Sequence, residues 1–232
     1  MLIIGHRGCK DYEPENTIKG ISKAFEIGVD AVEIDVHVSK DNEVVVIHDD
    51  TLERTRNGFG KVTETNFSAL RNLDAGKGEK IPYLQEVINQ VKEKGTLIIE
   101  LKGSKAEKKV VELIQKNNLH DKCYVISFWH SMVRRVKNLD ENIKTGVLFV
   151  GNPIKPDQLA KNAKADALFL NHNFVNKKLV EKAHKKGLEV HVWNIDDKKD
   201  IKGIADLEVD GIGSNKPDIL VEHFKKKSEE QV

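Results

Sequence analysis

The 232-residue sequence has only two cysteines, Cys9 and Cys123, and no CxxC spacing. That excludes a disulfide framework and a cysteine-built zinc cluster. No apolar run approaches the roughly 20 residues that cross a bilayer. The N-terminal MLIIGHRG has no basic region ahead of its short apolar run, so no secretory leader is read there. A cytoplasmic location without a stable membrane anchor is expected. An excess of one charge is also missing: 38 Lys and Arg stand against 37 Asp and Glu, for a net +1. Nothing in that balance calls for nucleic acid. No repeat, low-complexity linker or break in composition divides the chain, and 39% hydrophobic residues suffice for a sizeable core.

What is present alternates. Val32, Ile34 and Val36 alternate with Glu33 and Asp35, so a strand over 31–36 carries both carboxylates on one face. Like charges repel, and burying either one needs a compensating cation. After turn chemistry at Asp41-Asn42, residues 43–47 (EVVVI) read as a returning strand that ends at His48-Asp49-Asp50. His37 falls past the first strand and is assigned to a loop. Further strand patterns lie at 2–4, 96–101, 123–127, 144–149, 167–170, 188–193 and 210–213. Helical patterns fall between them, the first opening at Ile18 with Asn16 or Thr17 as cap and Gly28 as stop. Asn16 is read chiefly as a cap.

About eight βα units in a length near the ~250 residues of a (β/α)₈ barrel predict a single TIM-barrel domain over 1–232. Residues 51–80 form a short insertion after the second strand unit, and 225–232 a charged, frayed tail. The rival is a doubly wound open sheet. It brings a glycine-rich phosphate loop after its first strand, and Gly5-His6-Arg7-Gly8 is not one.

In such a barrel the catalytic groups gather at the C-terminal ends of the strands. His6-Arg7, Glu33, Asp35, His48-Asp49, Glu100 and Lys102 stand there, with Phe128, Asn171, Trp193 and Ser214-Asn215 at later strands. Glu33, Asp35 and Glu100 are an all-oxygen set that suits one divalent ion, Mg²⁺ or Ca²⁺, with Mn²⁺ also compatible. The plainer alternative pairs them only with Arg7 and Lys102. Two cations beside a metal suit an anionic substrate, and His6 and His48 can exchange protons near neutrality. Together these groups fit displacement at phosphorus. His191 is read as a barrel-interior residue, Trp193 as a substrate wall and Cys9 as an incidental thiol.

His6-Arg7-Gly8, Pro14-Glu15-Asn16-Thr17, Glu33-x-Asp35, His48-Asp49, Glu100-x-Lys102 and Val192-Trp193 follow one another across almost the whole chain. In that order they resemble the glycerophosphodiester phosphodiesterases. The resemblance implies a (β/α)₈ enzyme that hydrolyses a small-molecule glycerophosphodiester to an alcohol and sn-glycerol 3-phosphate, using one divalent metal. It implies Glu33, Asp35 and Glu100 as metal ligands and His6 and His48 as the acid–base pair. Arg7 and Lys102 would contact phosphate, and Phe128 and Trp193 the glycerol. At the last strand, Ser214-Asn215 stands where many members have Thr-Asp or Thr-Asn, so an effect on fine substrate positioning is expected. Two rivals stay open. One is a lysophospholipase D- or phospholipase C-like enzyme, which wants an apolar mouth; the insertion offers only Phe59, Phe67 and a few leucines for it. The other is a non-catalytic barrel that binds a phosphorylated metabolite.

Overall fold

The computed structural model describes residues 1–54, 57–103 and 105–226. Its sheet contains β1 (Leu2–Gly5), β2 (Ala31–Val38), β3 (Val44–Val46), β4 (Thr96–Leu101) and β5 (Cys123–Ser127). It continues through β6 (Lys144–Phe149), β7 (Ala167–Asn171), β8 (Glu189–Trp193) and β9 (Gly211–Ser214). Every pairing is parallel except that of β3 with β2. β1 pairs with β9 (Leu2↔Gly211) and also with β2 (Ile4↔Ala31), which closes the eight parallel strands into a barrel. The predicted (β/α)₈ architecture is therefore the observed one.

Helices α1 (Ile18–Ile27), α2 (Phe67–Leu70), α3 (Leu84–Val91), α4 (Glu107–Lys116) and α5 (His130–Leu139) come first. α6 (Pro156–Ala163), α7 (Lys177–His184), α8 (Lys198–Ala205) and α9 (Asp218–Val221) complete the set, and a π-helical turn follows α9. Outward-facing Val32, Ile34, Val36, Leu97 and Ile99 pack with helix residues such as Ile21, Val87 and Val110. Each such side chain contributes about 1.5–3 kcal/mol by leaving water. Inside the barrel, Ile4, Ile98, Tyr124, Ile126, Leu148 and Phe169 fill the centre. His191 stacks on Phe169 with centroids 4.4 Å apart, as a barrel-interior residue. Among the described residues, no helix is long and apolar enough to cross a membrane.

Three local expectations are corrected. The cap of α1 is Thr17, whose Oγ1 accepts from Gly20 N–H at 3.1 Å; Asn16 sits at φ 58° with its side chain turned elsewhere. β2 runs on to Val38 because β3 pairs with its last residues, so His37 is a buried strand residue. Its Nε2–H donates to the His48 carbonyl at 3.0 Å. The insertion has a core of its own, in which Leu52, Val62, Leu70 and Ala75 pack on Val45, Ile47 and Ile81. The tail does not begin as a frayed end. Lys225 Nζ donates to Gly28 O (2.8 Å) and Asp30 Oδ1 (2.6 Å), while 227–232 lie outside the described residues.

Candidate active site

β2 projects Glu33 and Asp35 from one face, and β4 brings Glu100 beside them through the register Asp35↔Glu100. Lys102 follows on the same face, just past β4. From β1, the chain turns sharply at Gly8, φ 85°, where a Cβ would come within 2.7 Å of the Gly20 carbonyl carbon. This tight turn against α1 sets Arg7 over the carboxylates. Arg7 N–H donates to Glu33 Oε2 (3.0 Å), and its guanidinium lies 3.2 Å from Asp35 Oδ2 and 3.0 Å from Glu15 Oε1. Lys102 Nζ is 3.0 Å from Glu100 Oε1 and 3.1 Å from His48 Nε2.

The pairing expected as the plainer alternative exists, but it is incomplete. Glu33, Asp35 and Glu100 carry three formal negative charges, and Arg7 and Lys102 only two positive ones. One oxygen from each carboxylate lies within 4.8 Å of the other two. Among the described residues, Glu33 Oε1 and Asp35 Oδ1 are buried without a hydrogen-bond partner. Burial pushes Glu33 well above the usual carboxylate range, and repulsion from Asp35 and Glu100 adds to it. Burial and Asp35 likewise push Glu100 up to about 7. Burial would also raise Asp35, but Arg7 and then Lys102 hold it below its ordinary value. Hard, unpartnered oxygens around an uncompensated charge fit a small divalent cation.

Both histidines are braced from behind. His6 Nδ1 lies 2.6 Å from Asn215 Oδ1, and Asn215 Nδ2 is itself fixed by Asp196 Oδ2 at 2.6 Å. Asn194 Nδ2 is also 3.1 Å from His6 Nδ1. A single ring nitrogen cannot donate to one amide and accept from the other; because Asp196 fixes the Asn215 amide, Nδ1 carries the proton. Nε2 is then left bare, 3.8 Å from Glu33. Burial, helped by Arg7, pushes His6 down to about 4. His48 Nδ1 donates to Asp49 Oδ1 at 2.5 Å, and Arg54 holds Asp49 in turn while also clasping Glu15. Burial would raise Asp49, but its bonds to Arg54 and His48 hold it at about 2. Burial lowers His48 against the pull of Asp35 and Asp49.

A cavity of about 340 Å³ opens over these groups, and the nine residues to which the family resemblance gives a role meet in or beneath it. Phe128 and Trp193 form one wall, edge to face at 6.0 Å. Asn171 instead caps a turn by accepting from Asn173 N–H. Cys9 is buried, its thiol donating to Gly20 O. The departure at the last strand bears on His6 through Asn215 rather than on the substrate wall. Asn16, whose composition reads as a cap, belongs to the site instead. Its Nδ2–H donates to Asp35 Oδ2 (2.9 Å) and its Oδ1 accepts from Asp35 N–H (3.1 Å). Groups that orient a metal-binding carboxylate typically carry 10–100-fold in affinity, so Asn16→Ala is expected to weaken the affinity of the carboxylate trio for a divalent cation by about that factor. Calorimetric titration checks it, and an unchanged affinity would remove Asn16 from the site.

Residues 6–219 match the model of the glycerophosphoryl diester phosphodiesterase family. A glycerophosphodiester phosphodiesterase of Caldanaerobacter subterraneus is 34% identical, with 97% of this chain and 98% of that protein covered. Among solved structures, the glycerophosphodiester phosphodiesterase of Agrobacterium tumefaciens superposes with a TM-score of 0.86 at 28% identity, covering 94% of this chain and 98% of that one. An Oleispira antarctica phosphodiesterase, solved with its product sn-glycerol-3-phosphate, gives 0.86 at 26% identity with 94% of each chain covered. A family match that runs from His6 to the last helix, with relatives aligned nearly end to end, makes this chain an enzyme of the glycerophosphoryl diester phosphodiesterase family.

Proposed function

We propose that the chain hydrolyses glycerophosphodiesters to an alcohol and sn-glycerol 3-phosphate, with one divalent cation held by Glu33, Asp35 and Glu100. The observation that carries this reading is the placement of two braced histidines on either side of an incompletely compensated carboxylate trio, in one cavity. The charges agree with it. The trio with Arg7 and Lys102 sums to −1, a divalent ion brings this to +1, and a diester monoanion cancels it. When bound, the ion supplies Lewis-acid neutralisation of charge on the phosphoryl oxygens. Arg7 and Lys102 hold the non-bridging oxygens, and Phe128 and Trp193 pack on the glycerol.

The bracing also separates the histidines' roles. His6, backed by a neutral amide and bare at Nε2, is the base that takes a proton from the attacking hydroxyl, whether the substrate's own or that of water. His48, backed by ionised Asp49, better tolerates a second proton and is the acid that gives it to the leaving oxygen. A barrel that only bound a phosphorylated metabolite would have no use for either bracing chain. The product complex of the Oleispira relative supports the same product here. We further read the chain as one catalytic domain acting in the cytoplasm, on diesters from lipid breakdown.

The test is release of sn-glycerol 3-phosphate from glycerophosphocholine after EDTA treatment and after adding back Mg²⁺, Ca²⁺ or Mn²⁺. Release is expected only with added metal. No release with any of the three from folded protein, or undiminished release in EDTA, would refute the reading.

A further inference from the structure

Neither the folded insertion nor Glu15 takes part in the steps assigned to His6, His48, Arg7 and Lys102. One guanidinium joins both of them to the site. Arg54 leaves the insertion two residues after Leu52, which is 2% exposed in the small core around Val45 and Ile47. The backbone on either side is fixed as well. Leu52 N–H donates to Gly60 O at 3.1 Å, and Val62 N–H donates to Asp50 O at 2.9 Å. Glu53 Oε1 accepts from Gly60 N–H at 2.9 Å. A long side chain therefore starts from a held base.

Its head spans two anions that serve different parts of the reaction. Arg54 Nε–H donates to Asp49 Oδ2, on the carboxylate that backs His48. Arg54 Nη1 and Nη2 donate to Glu15 Oε2 (3.1 Å) and Oε1 (2.8 Å), a bidentate grip. Glu15 Oε1 also accepts from Arg7 Nη1 at 3.0 Å. The Glu15 and Asp49 side chains are only 13% and 21% exposed, so leaving either without its cation is costly. Burial would raise Glu15, but its bonds to Arg54 and the charge of Arg7 hold it at about 2. The planar fork of an arginine matches two carboxylates at once, whereas an ammonium acts as a single point of charge.

We propose that Arg54 is a positioning residue that joins the proton donor and the phosphate-gripping arginine into one unit, with the insertion as its mount; this rests on the phosphodiesterase reading above. Through Asp49 it sets the His48 ring against the leaving oxygen. Through Glu15 it sets the Arg7 guanidinium against the non-bridging oxygens. Its partners among the described residues are Asp49 and Glu15, so its loss acts through His48 and Arg7.

The experiment measures kcat, KM and Tm for metal-loaded wild type, Arg54→Ala and Arg54→Lys. The substrates are glycerophosphocholine and the p-nitrophenyl ester of glycerol phosphate, whose leaving group needs no proton. Arg54→Ala is expected to lose about 10–100-fold in kcat on glycerophosphocholine. Most of that loss should vanish on the nitrophenyl ester, while a raised KM, from a loosened Arg7, persists on both. Added guanidinium ion should restore part of the rate, since it can enter where a 48%-exposed side chain stood. Arg54→Lys should regain one of the two effects and not both. Wild-type constants for Arg54→Ala would overturn the proposal. So would equal losses on both substrates without a response to guanidinium, the pattern of a residue that only stabilises its loop. Should Arg54→Ala not fold, equal losses of kcat by Arg54→Lys on the two substrates would overturn it in the same way. Failure of wild type on glycerophosphocholine defeats the phosphodiesterase reading and this one together, whereas an active wild type with an indifferent Arg54→Ala removes this one alone.

Discussion

Replacing Glu33 by glutamine is expected to do two opposite things: nearly abolish turnover and stabilise the metal-free protein. Glu33 is buried, faces Asp35 and Glu100, and binds its proton far more tightly folded than unfolded, where its value is 4.5. A carboxyl whose folded value is raised costs stability when ionised, and that cost grows as pH climbs from about 4.5 through the folded value. Glu100, raised to about 7, acts in the same direction between 4.5 and 7. Asp35, held below 3.8 by Arg7 and Lys102 despite its burial, acts in the opposite direction, its contribution being lost only in acid. Metal-free wild type is therefore expected to melt lower at pH 8 than at pH 5 as far as this trio decides, and Mg²⁺ to raise its Tm more at pH 8. Glu33→Gln removes one charge from an unneutralised set without changing its shape. At about 2–4 °C per kcal/mol for a chain of this size, its Tm in EDTA should exceed wild type by several degrees at pH 8. Its response to Mg²⁺ should shrink, and its turnover should fall by about 10²–10³-fold or more. Melts with and without EDTA at both pH values, beside a rate assay, separate the two effects. A variant that melts below wild type in EDTA would show the site to be built for ion pairs rather than for a metal.

Part of this site is legible in the sequence, for a definable reason. The strands at 96–101 and 123–127 emerge with the predicted bounds because apolar spacing and flanking breakers are local signals. Glu33, Asp35, Glu100 and Lys102 can be placed on shared faces because a strand's period of two is local as well. The bracing contacts carry no such signal. Asn16 reaches Asp35 across 19 residues, Arg54 reaches Glu15 across 39, and Asn215 reaches His6 across 209. Asn16 beside Thr17 has the composition of a cap, and only the left-handed backbone at Asn16 frees its amide for the carboxylate. His37 reads as a loop residue because a lone strand shows no reason to extend; pairing with β3 supplies that reason.

His6→Ala and His48→Ala are each expected to lower turnover of glycerophosphocholine by about 10²–10⁴-fold, and the two losses should part when the leaving group is changed. The structure gives the histidines different partners. Asn215, anchored by Asp196, presents a neutral oxygen to His6 Nδ1, which orients the ring and fixes its tautomer without favouring the imidazolium. Asp49, held at about 2 by Arg54 and His48 against the opposing effect of burial, presents a full negative charge to His48 Nδ1. Of the two rings, His48 is the one whose backing favours the imidazolium, and to serve as the acid it must first take up a proton at Nε2, where Lys102 Nζ stands 3.1 Å away. A p-nitrophenyl ester of glycerol phosphate expels a phenolate that departs without protonation. With that substrate, His48→Ala should recover most of its lost rate, while His6→Ala, whose task is to activate the nucleophile, should stay impaired. Asp49→Asn should resemble His48→Ala in this respect, and Asn215→Leu should resemble His6→Ala, because each acts through the ring it holds. The reverse pattern, with His6→Ala rescued and His48→Ala not, would exchange the two roles while leaving the site intact. Equal impairment of both on either substrate would mean that the rings position the phosphate and move no proton.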